Sequence, residues 1–471
     1  MTLAASRPRE ATHPADAVDA PLSDAARAEI RGWSLLAVGS LAIAGLFAVL
    51  VAASRVPGSQ QVIPWPVEFF PKGLVVHVTF SFVVWFLAVF ALLAALVTHR
   101  LAAEGYGTTR LAWLGRLGLI SVAASFLPLL LPAFLAGSTA SLNNYVPAIA
   151  HPLFEAGLVL LFLGVLAPAL RLLANQPWDA GTRDPVALAV AAAAVIYLVA
   201  VVAIVVALVA TSGKAGNARP YEEIFWGGGH ILQFLNALMM LIAWHVLARE
   251  SISESARPRL LIVAAVLLVL PVLAGLALYA LHGPFSSELR TGFTKLQYAL
   301  APATLLVALG LVAGLVGAWR EIGRLPWEKP AFLALVLSPV VFGVGGYLGL
   351  FVDGTDTRTP AHYHGVIAGV NLSFMGLFLA SLLPAVGRAE GTPLSRQRLQ
   401  ILMFGVGQMI ASLGLFWAGG YGAPRKVAGA AQGLADIARI GMYMNGIGAL
   451  IAVIGGVMFI WTVMRALLRK Q

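Results

Sequence analysis

The chain has 471 residues, 59% of them hydrophobic and 11% charged, with no cysteine and a formal net charge of +10. A soluble domain carries about 25% charged residues, so this composition is that of a polytopic membrane protein. The lack of cysteine excludes disulfides, thiolate metal sites and haem attached through Cys-x-x-Cys-His.

Residues 1–32 are polar and rich in Ala, Asp and Arg, without the short apolar core of a signal peptide. They are expected to form a disordered cytosolic tail with a short helix at its end, and His13 in it has no role. From 33 to 471, apolar runs of 20 or more residues recur, each long enough to cross ~30 Å of hydrocarbon. The expected spans are 33–54, 71–98, 113–137, 151–174, 186–212, 225–248, 259–282, 291–319, 328–352, 361–386, 397–420 and 437–464. That makes an all-α polytopic membrane protein of twelve helices in one membrane domain. No window between spans is long enough for a soluble domain, and no internal repeat supports an inverted-repeat transporter.

With the N-terminus inside, 21 of the 31 Lys and Arg residues fall in the tail and inner loops. N-in and C-in is therefore the expected orientation. The basic excess is topological, and no nucleic-acid partner is expected.

Three of the nine histidines, His13, His99 and His245, belong to the tail or the inner side. The other six, His77, His151, His230, His282, His362 and His364, all lie near the outer ends of spans. A lone intramembrane histidine is more often a helix-packing hydrogen bonder than a ligand. Six in one layer, drawn from five helices, point to a site. Imidazole is the commonest metal ligand and, without cysteine, the evident haem ligand. Within "DTRTPAHYHGVIAGVN", His362 and His364 lie two residues apart, about 200° around a helix. They cannot serve one centre, but a helix so built can stand between two.

On these residues the chain resembles the catalytic subunit (subunit I) of the haem–copper oxidase superfamily, which includes the nitric oxide reductases. The likeness covers essentially the whole membrane portion. The resemblance implies two haems, expected to be of b type: a high-spin haem on His362 and a low-spin haem between His364 and His77. It implies a non-haem metal, copper or iron, on His230 of the Trp226-Gly-Gly-Gly-His230 stretch together with His282. In "GYGAPRKV", Arg425 and Lys426 correspond to the cations that face the haem carboxylates.

The chain also departs from the family. Span 7 carries His282 followed by Gly283 where the family has two adjacent histidines, so a third metal donor is wanting. Gln233, one turn beyond His230, is one candidate. His151 and Glu155, at i and i+4 in "AHPLFEAG", are another, although an exposed polar helix end explains them equally well. Glu288 is weaker. The tyrosine that oxygen-reducing members use four residues after the span-6 histidine is Phe234 here; Tyr279 on span 7 is a candidate substitute, although a tyrosine at the outer membrane interface explains it more readily. Leu232 and Ala301 stand where other members carry glutamate, and Lys295 lies near the outer start of span 8. Protons are therefore expected from the outer side, past Asn143, Asn144, Glu155, Glu222 and Glu223, without pumping.

The leading reading is an oxidoreductase of a bacterial cytoplasmic membrane that reduces NO to N₂O, its site toward the periplasm. An oxygen reductase using Tyr279 is the alternative, and a non-catalytic bis-haem protein the second. Without cysteine the chain holds no dinuclear copper centre. Electrons are expected from a separate outer-side subunit (cupredoxin, CuA-type or c-type cytochrome), a soluble carrier or a quinol.

Overall fold

The computed structural model describes residues 22–54, 69–103, 109–178, 184–212, 220–252, 257–283, 285–352, 354–388, 391–425 and 433–469. Among them, twelve helices are long and apolar enough to cross a membrane. They are α1 (Asp24–Val51), α2 (Phe69–Ala103), α3 (Ala112–Phe134), α4 (Pro152–Asn175), α5 (Pro185–Thr211) and α6 (Tyr221–Ile252). The second half comprises α7 (Pro258–Leu281), α8 (Ser287–Glu321), α9 (Pro330–Phe351), α10 (Arg358–Ala385), α11 (Leu394–Gly420) and α12 (Asp436–Leu468).

Two features depart from the sequence reading. The short helix expected at the end of the tail begins at Asp24 and runs without a break into the first span, with Ser23 accepting from the Ala26 N–H at 3.2 Å as its cap. Leu22, Ala26, Ile30 and Trp33 recur at helical spacing and are buried, so polar composition had masked an apolar stripe. The second is a short antiparallel hairpin between α3 and α4, β1 (Thr139–Ser141) with β2 (Ala148–Ala150), in register Thr139↔Ala150.

The helices are not equal. Within their most apolar windows α6 is 94% buried, α2 89% and α10 72%, against 28% for α8. These three central helices are the ones that carry His230, His77, His362 and His364. Lipid supplies no hydrophobic force between helices, so packing and polar contacts decide which ones associate. One such contact joins α6, α9 and α10. The Trp244 indole donates to Ser338 Oγ at 2.7 Å, and Ser338 Oγ donates to the Gly369 carbonyl at 2.6 Å.

Elsewhere, small residues let backbones touch. Between α11 and α12, a Cβ at Gly414 would stand 2.5 Å from Asn445 N and 2.6 Å from Gly441 O. The obstacle is backbone, which cannot rotate away. Gly414→Leu is therefore expected to destabilise the protein by more than the ~1–3 kcal/mol of ordinary overpacking, read as a lower thermal midpoint in detergent. Gly446→Leu, on the open face of α12 with nothing within 4 Å, is expected to leave the midpoint unchanged. Equal midpoints for the two variants would contradict the packing.

Candidate functional site

Three of the central histidines share one local device. His77 Nδ1 lies 2.9 Å from the Ala44 carbonyl, His362 Nδ1 2.8 Å from the Gly345 carbonyl, and His230 Nδ1 2.6 Å from the Trp226 carbonyl. A carbonyl only accepts, so in each ring Nδ1 carries the proton and Nε2 keeps its lone pair. This outer-shell hydrogen bond fixes the ring and the tautomer for a metal on Nε2. For His362 the fit is tight, since a Cβ at Gly349 would stand 2.6 Å from its Nδ1.

His364 is hydrogen-bonded to the Gln408 side chain of α11 and lies close to His77. Farther along, the Trp85 indole donates to Asn371 Oδ1 at 2.8 Å, so α2 and α10 meet twice in the same order. Trp85 follows His77 by eight residues, whereas Asn371 follows His364 by seven, which is two α-turns. The extra residue is absorbed by a π-helical segment, Thr79–Val84. Without it His77 would turn away from His364. The two α10 histidines do face apart: His364 looks toward α2 and α11, His362 toward α9.

Around His230 the three preceding glycines each admit a different neighbour. A Cβ at Gly227 would strike the Tyr279 hydroxyl and, at 2.7 Å, the Phe293 ring. One at Gly228 would stand 3.0 Å from the Ala200 carbonyl of α5, and one at Gly229 2.6 Å from Tyr145 Cγ. Glycine inside a helix costs about 1 kcal/mol relative to alanine, and here close approach on three sides offsets it. Through the last of these gaps, Tyr145 donates its O–H to His230 Nε2 at 2.9 Å. Burial, with Tyr363 and Glu222 nearby, pushes the Tyr145 phenol well above its ordinary pKa, so it is a neutral donor. Gln297 donates to the His230 carbonyl at 3.0 Å, and Arg290 lies 5.5 Å over the Trp226 ring.

The loop after α11 is fastened to the start of α10. Thr357 N–H donates to Ala423 O at 3.0 Å, and Thr357 Oγ1 donates to Leu415 O at 2.8 Å. Arg425 is thereby brought to Asn144 Oδ1 at 3.2 Å and to Tyr363, between the two α10 histidines. Asn144 also donates to Glu222 at 3.2 Å. Lys426 lies outside the described residues.

The remaining candidates are not gathered at His230. Gln233 donates at 3.2 Å to the Gly229 carbonyl of its own helix. His151 caps α4, accepting at Nδ1 from the Leu153 N–H at 3.1 Å, and Glu155 accepts from the Tyr221 O–H at 2.6 Å. His282 ends α7, half-buried, with Glu288 near enough to interact. The Tyr279 hydroxyl rests on the backbone of Gly227 and is not bonded to His230. Tyr145 was not among the sequence candidates.

The donor chemistry at His77, His364 and His362 suits haem iron: three imidazoles on two central helices, at least two of the rings aimed by carbonyls. The second metal is served less fully. Among the described residues no three His, Asp or Glu side chains converge on one point. His230 and Tyr145 do converge.

The family model for cytochrome c and quinol oxidase polypeptide I matches residues 30–467. A protein of Aquifex aeolicus (strain VF5), described as uncharacterized, is 32% identical over 374 residues, 76% of this chain and 87% of that protein. Cytochrome c oxidase subunit 1 of Thermus thermophilus is 29% identical over 190 residues, 38% of this chain and 34% of that protein. A haem–copper terminal oxidase dimer solved by cryo-EM superposes with a TM-score of 0.77 at 16% identity, covering 96% of this chain and 85% of that one. That likeness shows the fold.

Proposed function

The chain belongs to the cytochrome c and quinol oxidase polypeptide I family, and on that premise we propose that it reduces nitric oxide to nitrous oxide without pumping protons. The overall reaction is 2 NO + 2 e⁻ + 2 H⁺ → N₂O + H₂O. When bound, the haems supply a one-electron relay at His77 and His364 and a substrate-binding iron at His362. A non-haem metal, copper or iron, would be held by His230, and His282 at the end of α7 is the second imidazole that the family pattern would offer it.

One observation carries the reading: Tyr279 points its hydroxyl at Gly227 rather than at His230. Phe234 fills the other place from which the family draws a tyrosine. NO reduction breaks no O–O bond and takes two electrons, so it needs no tyrosine as an electron donor. The proton supply is consistent with this. Apart from Glu222 and Glu223 at its start and Glu250 at its end, α6 has no carboxylate, and it has no lysine. Long-range proton delivery through a membrane needs such groups. Protons instead come from the histidine end, past Glu222, Asn144 and Glu155, and we place that end on the periplasmic side of a bacterial cytoplasmic membrane. Electrons arrive there from a separate subunit or a soluble carrier, near Arg425.

Oxygen reduction to water is the second reading, favoured by the Tyr145 phenol at 2.9 Å from His230. Anaerobic turnover of the purified protein with an artificial donor separates the two. One N₂O per two NO consumed is expected, abolished in His230→Ala while both haem spectra persist. Oxygen uptake to water with no N₂O from NO would overturn the leading reading in favour of the second.

A further inference from the structure

We propose that Tyr145 is the oxygen donor that completes the non-haem metal site on His230. The inference rests on the two-metal reading above and addresses the donor missing from the end of α7.

Geometry is the first support. Two donors ~2.1 Å from one ion, and ~90–110° apart at it, lie ~2.9–3.4 Å from each other. His230 Nε2 and the Tyr145 oxygen are 2.9 Å apart. An ion that replaces the phenol proton on Nε2 can therefore take both as neighbouring ligands at this spacing, with the phenol oxygen turning aside from the lone pair it now occupies. His230 Nε2 is the nitrogen left free by the Trp226 carbonyl, so the same atom that accepts the phenol proton is the one prepared for a metal.

Placement is the second. Tyr145 sits in the link between β1 and β2, and that link is held from several sides. Val146, Ala148 and Ile149 are fully buried. Thr79 Oγ1 of the π segment donates to the Pro147 carbonyl at 3.3 Å, and the Val146 N–H donates to Asn143 Oδ1 at 3.1 Å. Gly229 gives the ring its seat, where any side chain would displace it. A hydroxyl held this firmly on a free imidazole lone pair is preorganised, as a ligand must be.

The other candidates are engaged elsewhere. His151 is committed to its cap, Gln233 to the Gly229 carbonyl, and Glu155 to Tyr221. Ligation by Tyr145 is a simple exchange. The phenol O–H bond breaks, an oxygen–metal bond forms, one proton is released to solvent, and no electron moves. A hard oxygen beside imidazole suits iron or cupric copper rather than cuprous copper.

The test uses the haem-loaded, detergent-purified protein, dialysed against a chelator. Haem is counted spectroscopically and total iron and copper by mass spectrometry. Wild type is expected to keep about one non-haem ion per chain. Tyr145→Phe is expected to lose it at least ~10-fold more readily, a lower bound taken from outer-shell losses. Tyr145→His, which restores a donor, is expected to keep it, and both variants retain two haems. Oxidised wild type should also show phenolate ring modes in resonance Raman, a readout that does not depend on any variant folding. Equal metal retention in Tyr145→Phe, or absence of those modes, overturns the inference alone. Wild type with two haems and no further ion overturns the two-metal reading with it.

Discussion

Replacing His362 with alanine is expected to remove the haem that binds NO and CO while leaving a low-spin, bis-imidazole spectrum intact. Replacing His364 is expected to do the reverse. The two residues are neighbours in sequence and have no environment in common. His362 is aimed by the Gly345 carbonyl of α9, whereas His364 faces His77 of α2 and bonds Gln408 of α11. Losing an outer-shell partner typically costs ~10–100-fold in affinity or activity, and losing the axial ligand itself should exceed that. Turnover should vanish in both variants, for different reasons: one lacks the reacting iron, the other the electron relay. Haem-to-protein ratios and CO difference spectra separate the two cases. Loss of both haems together in each variant would contradict the assignment of opposite faces to opposite centres.

Arg171→Ala is expected to destabilise the bundle by about 3–5 kcal/mol, as removal of one partner of a buried ion pair does. The Arg171 side chain is 2% exposed, and its Nη1 donates to both oxygens of Glu29 at 2.7 and 2.9 Å. His99 Nε2 lies 2.8 Å from the same carboxylate. The cluster ties α1, α2 and α4 together at the end of the bundle opposite His77, His362 and His364. Gly115 of α3 leaves the room, since a Cβ there would stand 2.8 Å from Glu29 Cδ. Truncating Arg171 leaves a largely buried carboxylate, 13% exposed, with His99 as its one remaining partner in the cluster. Arg439→Ala is the contrast: its pair with Asp436 is 58% and 94% exposed, and such pairs contribute ~0–1 kcal/mol. Thermal unfolding of the two variants in the same detergent decides the matter. An Arg171→Ala midpoint equal to that of Arg439→Ala would contradict it. The double variant Glu29→Gln/Arg171→Met should recover much of the loss, because it leaves no unpaired charge.

Much of the architecture was legible because hydropathy reports what a helix meets along its length. The twelve spans, and the layer of histidines at their ends, follow from that pattern. The opposed faces of His362 and His364 follow from helical geometry alone. Hydropathy does not report which backbones touch. The glycines before His230 read as one weak motif, yet each admits a different neighbour. The π segment after His77 has no compositional mark, and only the mismatch between His77–Trp85 and His364–Asn371 reveals why it is there. Tyr145 escaped notice because "SLNNYVPAIA" reads as a solvated loop. The apolar Val146, Ala148 and Ile149 beside it were the available signal that this loop turns inward. The start of α1 was hidden for the opposite reason, since charged residues such as Glu29 and Arg31 interrupt a buried stripe that continues through Ile30 and Trp33.

Low-temperature EPR of the oxidised protein, quantified per chain, tests most directly whether α10 stands between two haems. The predicted result is one low-spin ferric centre with two imidazole ligands and, in a His230→Ala variant that lacks any coupling to the second metal, one high-spin ferric centre. A single haem per chain, or two low-spin centres and no high-spin one, would contradict it.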